Sequence, residues 1–369
     1  MLTKPKILSI HNQFPSPVAR KYGLYGGVGY YRQMMPAKYL PEFSFIHAGK
    51  DLLGVTVDTM QEKVGEMVKN ADLVYTKHLD NPHAVYSLLG ACSYYNKPLI
   101  VDFDDDVLTT DGLSPDRYTY TEDNDLKHYL EVLLRECTAI TVSVPQLAER
   151  YGKFGKTHII PNAVDEKDWT WTLRRHDRKT VGWAGSASHA RDHEILEPVY
   201  GGVIEKNPDV VFSFVGHMLP EHVKGMTRKN WEIKPGISWW EGNPENNMTY
   251  PRLLAEAGYD VGLAPIIESQ FNSSRSLAKW FEYTMTGIPM VASEWGPYLD
   301  LRDGEDAYLV KTKDGWVDAI NNLIQNPHER TRLVANARKR ILDEYTIQHT
   351  IPKWRKVFSD YLGSGFKRS

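Results

Sequence analysis

Short apolar segments alternate along the chain with longer segments in which apolar residues recur every three or four positions. Short apolar runs are typical of buried β-strands, and the longer periodic pattern is typical of amphipathic helices. Six strands are predicted in the first part of the chain: KILSIHN, FSFIHAG, DLVYTKH, PLIVDFD, AITVSV and HIIPNAV. Because strands that alternate with helices form parallel sheets with helices on both faces, the pattern predicts an α/β fold.

A Trp- and Arg-rich segment, residues 169–179, interrupts this alternation, which then begins again. Five more strands are predicted after it: TVGWAGS, VVFSFVG, YDVGLAPI, IPMVAS and AYLVKT. Helical patterns are clearest in VDTMQEKVGEMVKN, NDLKHYLEVLLREC and PHERTRLVANARKRILDEY. A chain of 369 residues is long enough for two domains with separate cores. We therefore predict two Rossmann-like, doubly wound parallel-sheet domains, with a boundary within residues 165–179.

Unusual polar and glycine-rich residues follow several of the predicted strands. They lie in the segments YGGVGYYR, TKH, DFDDD and WAGSASHARD. Ligands of open parallel sheets bind outside the carboxyl ends of the strands. If the two domains face each other, these segments surround one central cleft.

Composition narrows the class of protein. The chain is 41% hydrophobic and 25% charged, with a mean hydropathy of −0.45, as is typical of a soluble globular protein. It has no apolar run of the roughly 20 residues that span a bilayer, and its start reads as a strand rather than a signal peptide. Two cysteines form no disulfide framework, so we expect a cytoplasmic protein. A net charge of −3 does not favour nucleic acid.

The segment DFDDD places Asp102, Asp104, Asp105 and Asp106 at the tip of a buried strand. Carboxylates this crowded repel each other, so they require a cation, a hydrogen-bond network or the hydroxyls of a sugar. By strand alternation Asp102 points back into the sheet. Asp104 and Asp105 are the candidates for sugar contact or for accepting a proton, with His78 from the neighbouring strand assisting.

Two glycine-containing segments are candidates for binding phosphate. Gly26 and Gly27 open a helix, where backbone N–H groups approach a ligand closely and the helix dipole favours negative charge. In the second half, Gly185 and Ser186 repeat this arrangement. The nearby side chains of His189 and Arg191 would add donors for phosphate oxygens.

The segment NSSRSLAKWFEYTMTGIPMVAS predicts a helix that begins at Ser273 or Ser274 and ends before Gly287. Its buried stripe comprises Leu277, Phe281 and Met285. Its opposite face carries three charged residues, namely Arg275, Lys279 and Glu282. Two cations for a diphosphate and a carboxylate for ribose hydroxyls would explain this charged face.

Several segments of the sequence resemble those of a known enzyme family. The segments TAITVSVPQLAERY, HIIPNAVD, VVFSFVG, LAKWFEYTMTGIPMVAS, GEDAYLV and LVANARKRILDEY resemble, in order, landmarks of GT-B-fold glycosyltransferases of glycosyltransferase family 4. The resemblance runs from about residue 7 to residue 360. It implies an acceptor-side domain (1–170), a nucleotide-sugar-binding domain (171–345) and a last helix (346–369) that crosses back onto the first domain. It also implies sugar transfer with retention from a nucleotide sugar, for which we expect UDP, without a metal or other cofactor.

The resemblance assigns roles to individual positions. Glu282 matches the acid that holds the donor ribose, Arg191 matches a basic residue for the diphosphate, and Lys279 is a second cation. Gly26 and Gly27 match the glycine loop of the first domain. The sequence departs from the family in two places: Ser274 stands where the family has a second Glu, and Asp104-Asp105 stand where many members have His-Asp.

Other functions remain open. Asp102-Phe103-Asp104 is a DxD sequence of the kind that metal-dependent GT-A glycosyltransferases use, and LIVDFDDDVL is a near match to a haloacid-dehalogenase phosphatase motif. A GT-B shell that only binds a sugar or polymer is a third class. As acceptor we expect a glycan or glycolipid, which would predict peripheral membrane contact. The alternative acceptor is a hydroxymethylated pyrimidine of phage DNA.

Overall fold

The computed structural model describes residues 3–11, 27–49, 57–79, 81–109, 125–171, 178–185, 187–216, 228–234 and 249–366. These residues divide into two compact units. The first unit is formed by Met1–Ala163 and Ile347–Ser369, and the second by Val164–Ser238 and Gly242–Thr346.

The first unit contains a six-stranded parallel sheet. Its strands are β1 (Lys6–His11), β2 (Ser44–Gly49), β3 (Leu73–Lys77), β4 (Leu99–Phe103), β5 (Ala139–Val142) and β6 (Thr157–Ile159). Their order across the sheet is β2-β1-β3-β4-β5-β6. Every residue of β3, β4 and β5 is buried, as expected for central strands covered by helices on both faces.

The helices of the first unit are α1 (27–39, with a π turn at Tyr30–Met34), α2 (Val57–Lys69), α3 (Pro82–Tyr94), α4 (Leu126–Glu136), α5 (Pro145–Tyr151) and α11 (Ile347–Tyr361). The last helix, α11, packs in this unit through two buried aromatic side chains. The rings of Trp354 and Phe358 each lie edge-on to Tyr75, with 5.5 Å between ring centroids.

The second unit contains another six-stranded parallel sheet. Its strands are β7 (Thr180–Gly185), β8 (Val211–Gly216), β9 (Trp231–Lys234), β10 (Val261–Ala264), β11 (Met290–Ser293) and β12 (Tyr308–Val310). Across the sheet they lie in the order β12-β11-β10-β7-β8-β9. This is the Rossmann strand order, in which the direction of winding changes between the first and fourth strands, here β7 and β10. The second unit therefore has a topological switch point between these two strands.

The longer helices described in the second unit are α6 (Glu197–Lys206), α7 (Tyr250–Ala257), α8 (Ala278–Met285), α9 (Lys313–Gln325) and α10 (Pro327–Glu344). Among the described residues, four 3₁₀ segments also occur, at Glu166–Asp168, Ala187–Ile195, Arg228–Asn230 and Gly296–Asp300. Three fully buried tryptophans, Trp183, Trp280 and Trp316, contribute to the interior. No helix among the described residues is long and apolar enough to cross a membrane.

The predicted fold class is confirmed, and the eleven predicted strands are present with ends shifted by up to five residues, the largest shift being at the end of β6. Strand β9 was not predicted, because its residues WEIK form no apolar run. It is an edge strand whose side chains are only partly covered.

The prediction of a helix beginning at Ser273 or Ser274 is wrong. A short helix, Gln270–Ser273, capped by Ser269, ends there, and α8 begins only at Ala278. Arg275 therefore precedes α8 and does not share a helix face with Lys279. The predicted end of the helix is confirmed, because Gly287 adopts φ 84°, a left-handed conformation that favours glycine.

Candidate functional site

Lys279, in the first turn of α8, lies at the switch point of the second sheet. Its side chain is 7% exposed, and its Nζ donates a hydrogen bond to the carbonyl oxygen of Ala184, the penultimate residue of β7. The ammonium also lies 5.1 Å from the ring centroid of Trp183 and 5.7 Å from that of Tyr283. A cation is therefore held at the carboxyl end of the sheet, where ligands of this topology bind.

The Lys279 ammonium can donate further hydrogen bonds to a ligand. It carries three N–H donors, and within the described part of the chain one of them is used, by Ala184. Burial lowers the pKa of Lys279 to about 8, although the nearby carboxylate of Glu282 opposes this shift. An anion that approaches Lys279 would stabilise its charged form.

Glu282 lies about one turn of α8 beyond Lys279. Its Oε2 accepts a hydrogen bond from the hydroxyl of Tyr250 at 2.9 Å. Burial raises the pKa of Glu282, while the charge of Lys279 and the bond from Tyr250 limit the rise. This carboxylate is suited to accept hydrogen bonds from hydroxyl groups of a ligand.

Arg275 lies immediately before α8 and is held by two side chains. Its Nε donates to Asn272 Oδ1 at 2.8 Å, and its Nη1 lies 3.0 Å from His189 Nε2. The charge of Arg275 contributes to lowering the pKa of Lys279, after burial and against Glu282. Arg275 and Lys279 are therefore close enough in the second unit for their charges to interact.

Tyr283 fixes the position of α8 against both strands of the switch point. Its hydroxyl accepts from the backbone N–H of Ala184 at 3.1 Å and donates to the carbonyl oxygen of Leu263, in β10, at 3.1 Å. The ring approaches β10 so closely that a Cβ at Gly262 would lie 2.8 Å from it. Glycine at 262 thus permits the approach that places Lys279.

In the first unit, Asp102 is a structural residue. Its side chain is fully buried and forms an ion pair with Arg32, with 2.7 Å between Oδ1 and Nη2. Thr141 Oγ1 donates to the same carboxylate oxygen at 2.6 Å. The prediction that Asp102 points back into the sheet is confirmed.

Asp104 forms a second ion pair, with Lys77 at the end of β3. The distance between Lys77 Nζ and Asp104 Oδ1 is 2.6 Å, and the two side chains are 4% and 11% exposed. Burial alone would raise the pKa of Asp104, but the charge and hydrogen bond of Lys77 outweigh burial and lower it. His78 stacks on Phe103, with 5.7 Å between ring centroids, and its protonated form would also lower the pKa of Asp104.

Asp106 forms the third ion pair of the acidic segment, with Arg150. It is fully buried and contacts the guanidinium of Arg150, and Thr109 Oγ1 donates to it. The side chain of Asp105 is partly exposed. Within the described ranges, no group of three or more His, Cys, Asp or Glu side chains is arranged to hold a metal ion.

The structure brings some of the predicted site residues together within each unit. Asp104 and His78 lie together in the first unit. In the second unit, Arg275, Lys279 and Glu282 are linked by charge, and Gly185 ends β7 next to Ala184. Gly27 begins α1, whereas Gly26 and Ser186 lie outside the described residues.

Arg191 does not join this group through any contact among the described residues. Its guanidinium is half exposed and forms an ion pair with Glu194, with 2.8 Å between Nε and Oε1. Arg275 is the arginine whose charge acts on the pKa of Lys279.

Sequence reasoning missed Lys77, which pairs with Asp104 in the first unit, and Asp192, Asn272 and Tyr250, which contact the candidate residues of the second unit. Lys77 was detectable in principle, because a lysine that ends a buried strand next to an acidic strand tip has few other partners. Asp192 and Asn272 carried no such signal, since their 80-residue separation is closed only by the fold.

The comparisons with known proteins agree with this geometry. Residues 203–356 match a family model described as glycosyl transferase-like, a segment that includes Arg275, Lys279 and Glu282 but fewer than half of the 369 residues. No curated protein matches the chain.

Solved structures resemble the whole chain. HepE from Anabaena, in complex with UDP and glucose, is 15% identical with a TM-score of 0.67, over 96% of this chain and 100% of that chain. A glycosyltransferase from Rickettsia africae is 13% identical with a TM-score of 0.64, over 98% and 99% of the two chains. S. aureus TarM is 14% identical with a TM-score of 0.58, over 81% of this chain and 59% of that chain. The predicted GT-B fold is confirmed, and its C-terminal part is glycosyltransferase-like in sequence.

Proposed function

We propose that this glycosyltransferase-like protein transfers a sugar from a UDP-sugar to a hydroxyl group of a glycan or glycolipid, with retention of anomeric configuration. The observation that carries the proposal is the position of Lys279. A buried ammonium with N–H donors that no described residue uses lies at the switch point of a Rossmann-type sheet, close to Arg275 and Glu282.

The three charged residues have separate roles in binding the donor. Lys279 and Arg275 neutralise the diphosphate and stabilise the negative charge that develops on the leaving nucleoside diphosphate. Glu282 accepts hydrogen bonds from the ribose hydroxyls. UDP as the donor nucleotide is supported by HepE and TarM, both of which have been solved in complex with UDP.

The acidic segment of the first unit acts on the sugars. Because Lys77 lowers the pKa of Asp104, Asp104 is ionised at neutral pH and is a weak base. It is therefore suited to accept hydrogen bonds from sugar hydroxyls rather than to remove a proton. Asp105 follows Asp104 in the sequence, and His78 lies near Asp104 in space. These two residues are the candidates for receiving the proton of the acceptor hydroxyl.

Transfer by this protein needs no metal ion. In metal-dependent transferases, a cation compensates the diphosphate and the acidic residues that hold it. Here Asp102, Asp104 and Asp106 already have protein cations as partners, and Lys279 and Arg275 supply positive charge for the diphosphate.

A panel of nucleotides tests the proposal. The unfolding temperature of the full chain is measured with UDP, GDP, ADP, dTDP and UMP, each with and without EDTA. We expect the largest increase with UDP, a smaller one with UMP, and no effect of EDTA. The absence of any increase would refute donor binding, and an increase that requires a divalent metal would refute metal independence.

A further inference from the structure

Asp192 is a buried carboxylate that donor binding as proposed above does not explain. Its side chain is 2% exposed, and its Oδ1 accepts from the backbone N–H of Ile267 and from Asn272 Nδ2, each at 3.0 Å. Its Oδ2 lies 2.9 Å from His189 Nδ1. A buried charge with this many partners orients the groups that surround it.

The hydrogen bonds assign the protonation state of His189. A guanidinium has donors only, so Arg275 Nη1, 3.0 Å from His189 Nε2, must donate to that nitrogen. Nδ1 therefore carries the proton and donates it to Asp192. Burial and the charge of Arg275 lower the pKa of His189 to about 3, which agrees with a neutral ring.

Asn272 forms the second link between Asp192 and Arg275. Its Nδ2 donates to Asp192 Oδ1 at 3.0 Å and to the carbonyl oxygen of Ile267 at 2.9 Å. These two acceptors fix the amide so that Oδ1 faces Arg275 Nε, 2.8 Å away. The guanidinium also lies over the ring of Phe271, with 4.7 Å between Cζ and the ring centroid.

The contacts of Arg275 with His189 and Asn272 thus come from neutral groups that one carboxylate orients. A carboxylate placed directly against the guanidinium would compete with an anionic ligand for it. A neutral imidazole and an amide instead fix its orientation without cancelling its charge.

We propose that Asp192, His189 and Asn272 are positioning residues that hold the Arg275 guanidinium in the orientation that binds the donor diphosphate. This inference rests on the proposed function, in which Arg275 binds the diphosphate. Asp192 acts only through Arg275, so its contribution to binding disappears when Arg275 is removed.

A double-mutant cycle tests the inference by titration calorimetry of UDP with the full chain. Arg275→Ala and Asp192→Asn are each expected to weaken UDP binding about tenfold, and the double variant no more than Arg275→Ala alone. Equal weakening by Asp192→Asn in both backgrounds would overturn the positioning role, since it would reveal a general effect on the fold.

A second pair of variants keeps the test valid if Asp192→Asn does not fold. His189→Gln retains an acceptor for Arg275, whereas His189→Leu does not, so UDP affinity is expected to remain near wild type in the first and to fall about tenfold in the second. Equal UDP affinities of the His189→Gln and His189→Leu variants would overturn the inference. Failure of the wild-type protein to bind UDP would refute the proposed function itself, whereas UDP binding that Arg275→Ala leaves unchanged would refute the diphosphate role of Arg275 and with it the positioning role, but not UDP binding.

Discussion

Lys77 and Asp104 form a largely buried ion pair at the carboxyl end of the first sheet, with 2.6 Å between Nζ and Oδ1. Asp102 and Asp106, on either side of Asp104 in the sequence, have Arg32 and Arg150 as partners. The acidic segment is therefore stable because each of these three carboxylates has its own cation. This neutralisation makes the segment a fixed surface for hydrogen bonding rather than a cluster of repelling charges.

Removal of one member of the Lys77–Asp104 pair should destabilise the folded protein. Lys77→Met leaves a buried carboxylate without its cation and is expected to lower the free energy of unfolding by about 3 kcal/mol in urea denaturation. The double variant Lys77→Met/Asp104→Asn should be less destabilised than Lys77→Met. A matched control is Glu256→Gln in the exposed pair Arg252–Glu256, with an expected change below about 1 kcal/mol.

The same pair predicts a pH dependence of stability. Lys77 lowers the pKa of Asp104 in the folded protein, so the pair stabilises the fold above the unfolded-state pKa of about 4. That contribution is lost as the pH falls through the lower folded-state value. The difference in unfolding free energy between wild type and Lys77→Met should therefore shrink below pH 4, and a constant difference down to pH 2 would contradict the assignment.

Lys279 should make donor binding sensitive to alkaline pH. Its pKa is about 8, so the ammonium loses its proton between pH 7 and pH 9.5, and UDP affinity should fall about tenfold over that range. UDP binding at pH 8 should also take up protons, measurable by calorimetry in buffers of different ionisation enthalpy. Lys279→Arg, which stays charged, should bind UDP with little pH dependence in this range, and an unchanged profile in that variant would exclude Lys279 as the titrating group.

Glu282 should discriminate between ribose and deoxyribose. If its carboxylate accepts hydrogen bonds from ribose hydroxyls, Glu282→Gln will weaken UDP binding by about 1.5–3 kcal/mol and will affect 2′-deoxy-UDP less. Glu268→Gln, at an exposed position, is the control and should behave like wild type. An equal loss for both nucleotides would place Glu282 away from the 2′-hydroxyl.

Gly262 should be required for the position of α8. A Cβ at this position would lie 2.8 Å from the ring of Tyr283, so Gly262→Ala would displace the residue that ties α8 to both strands. We expect a loss of about 2 kcal/mol in stability together with weaker UDP binding. Gly201→Ala, in α6 with no atom within 4 Å of the added Cβ, should instead be neutral or slightly stabilising.

The fold was predictable because its signals are local. Buried strands such as TVGWAGS and PLIVDFD are short apolar runs bounded by turn residues, and no distant contact is needed to recognise them. Strand β9 was missed because an edge strand with partly exposed side chains lacks such a run. The start of α8 was misplaced because Ser273 and Ser274 lie at the end of the short helix Gln270–Ser273, which Ser269 caps, and do not open α8.

The candidate site was only partly predictable. Lys279 and Glu282 were identified because their spacing on a helix and their resemblance to known glycosyltransferases pointed to the same residues. The partners of the acidic segment could not be read from the sequence, since Lys77 and Arg32 meet Asp104 and Asp102 only across neighbouring elements of the fold. Arg275 is placed beside Lys279 by contacts that close an 86-residue separation from His189.

The central claim is that the switch point of the second sheet binds the diphosphate of a nucleotide sugar. The most direct test is titration calorimetry of UDP with the wild-type protein and with Lys279→Met at pH 7 in the presence of EDTA. The account predicts that the wild-type protein binds UDP without metal and that Lys279→Met weakens binding by about 1.5–3 kcal/mol. Equal affinity in the two proteins, or no binding by the wild-type protein, would contradict it.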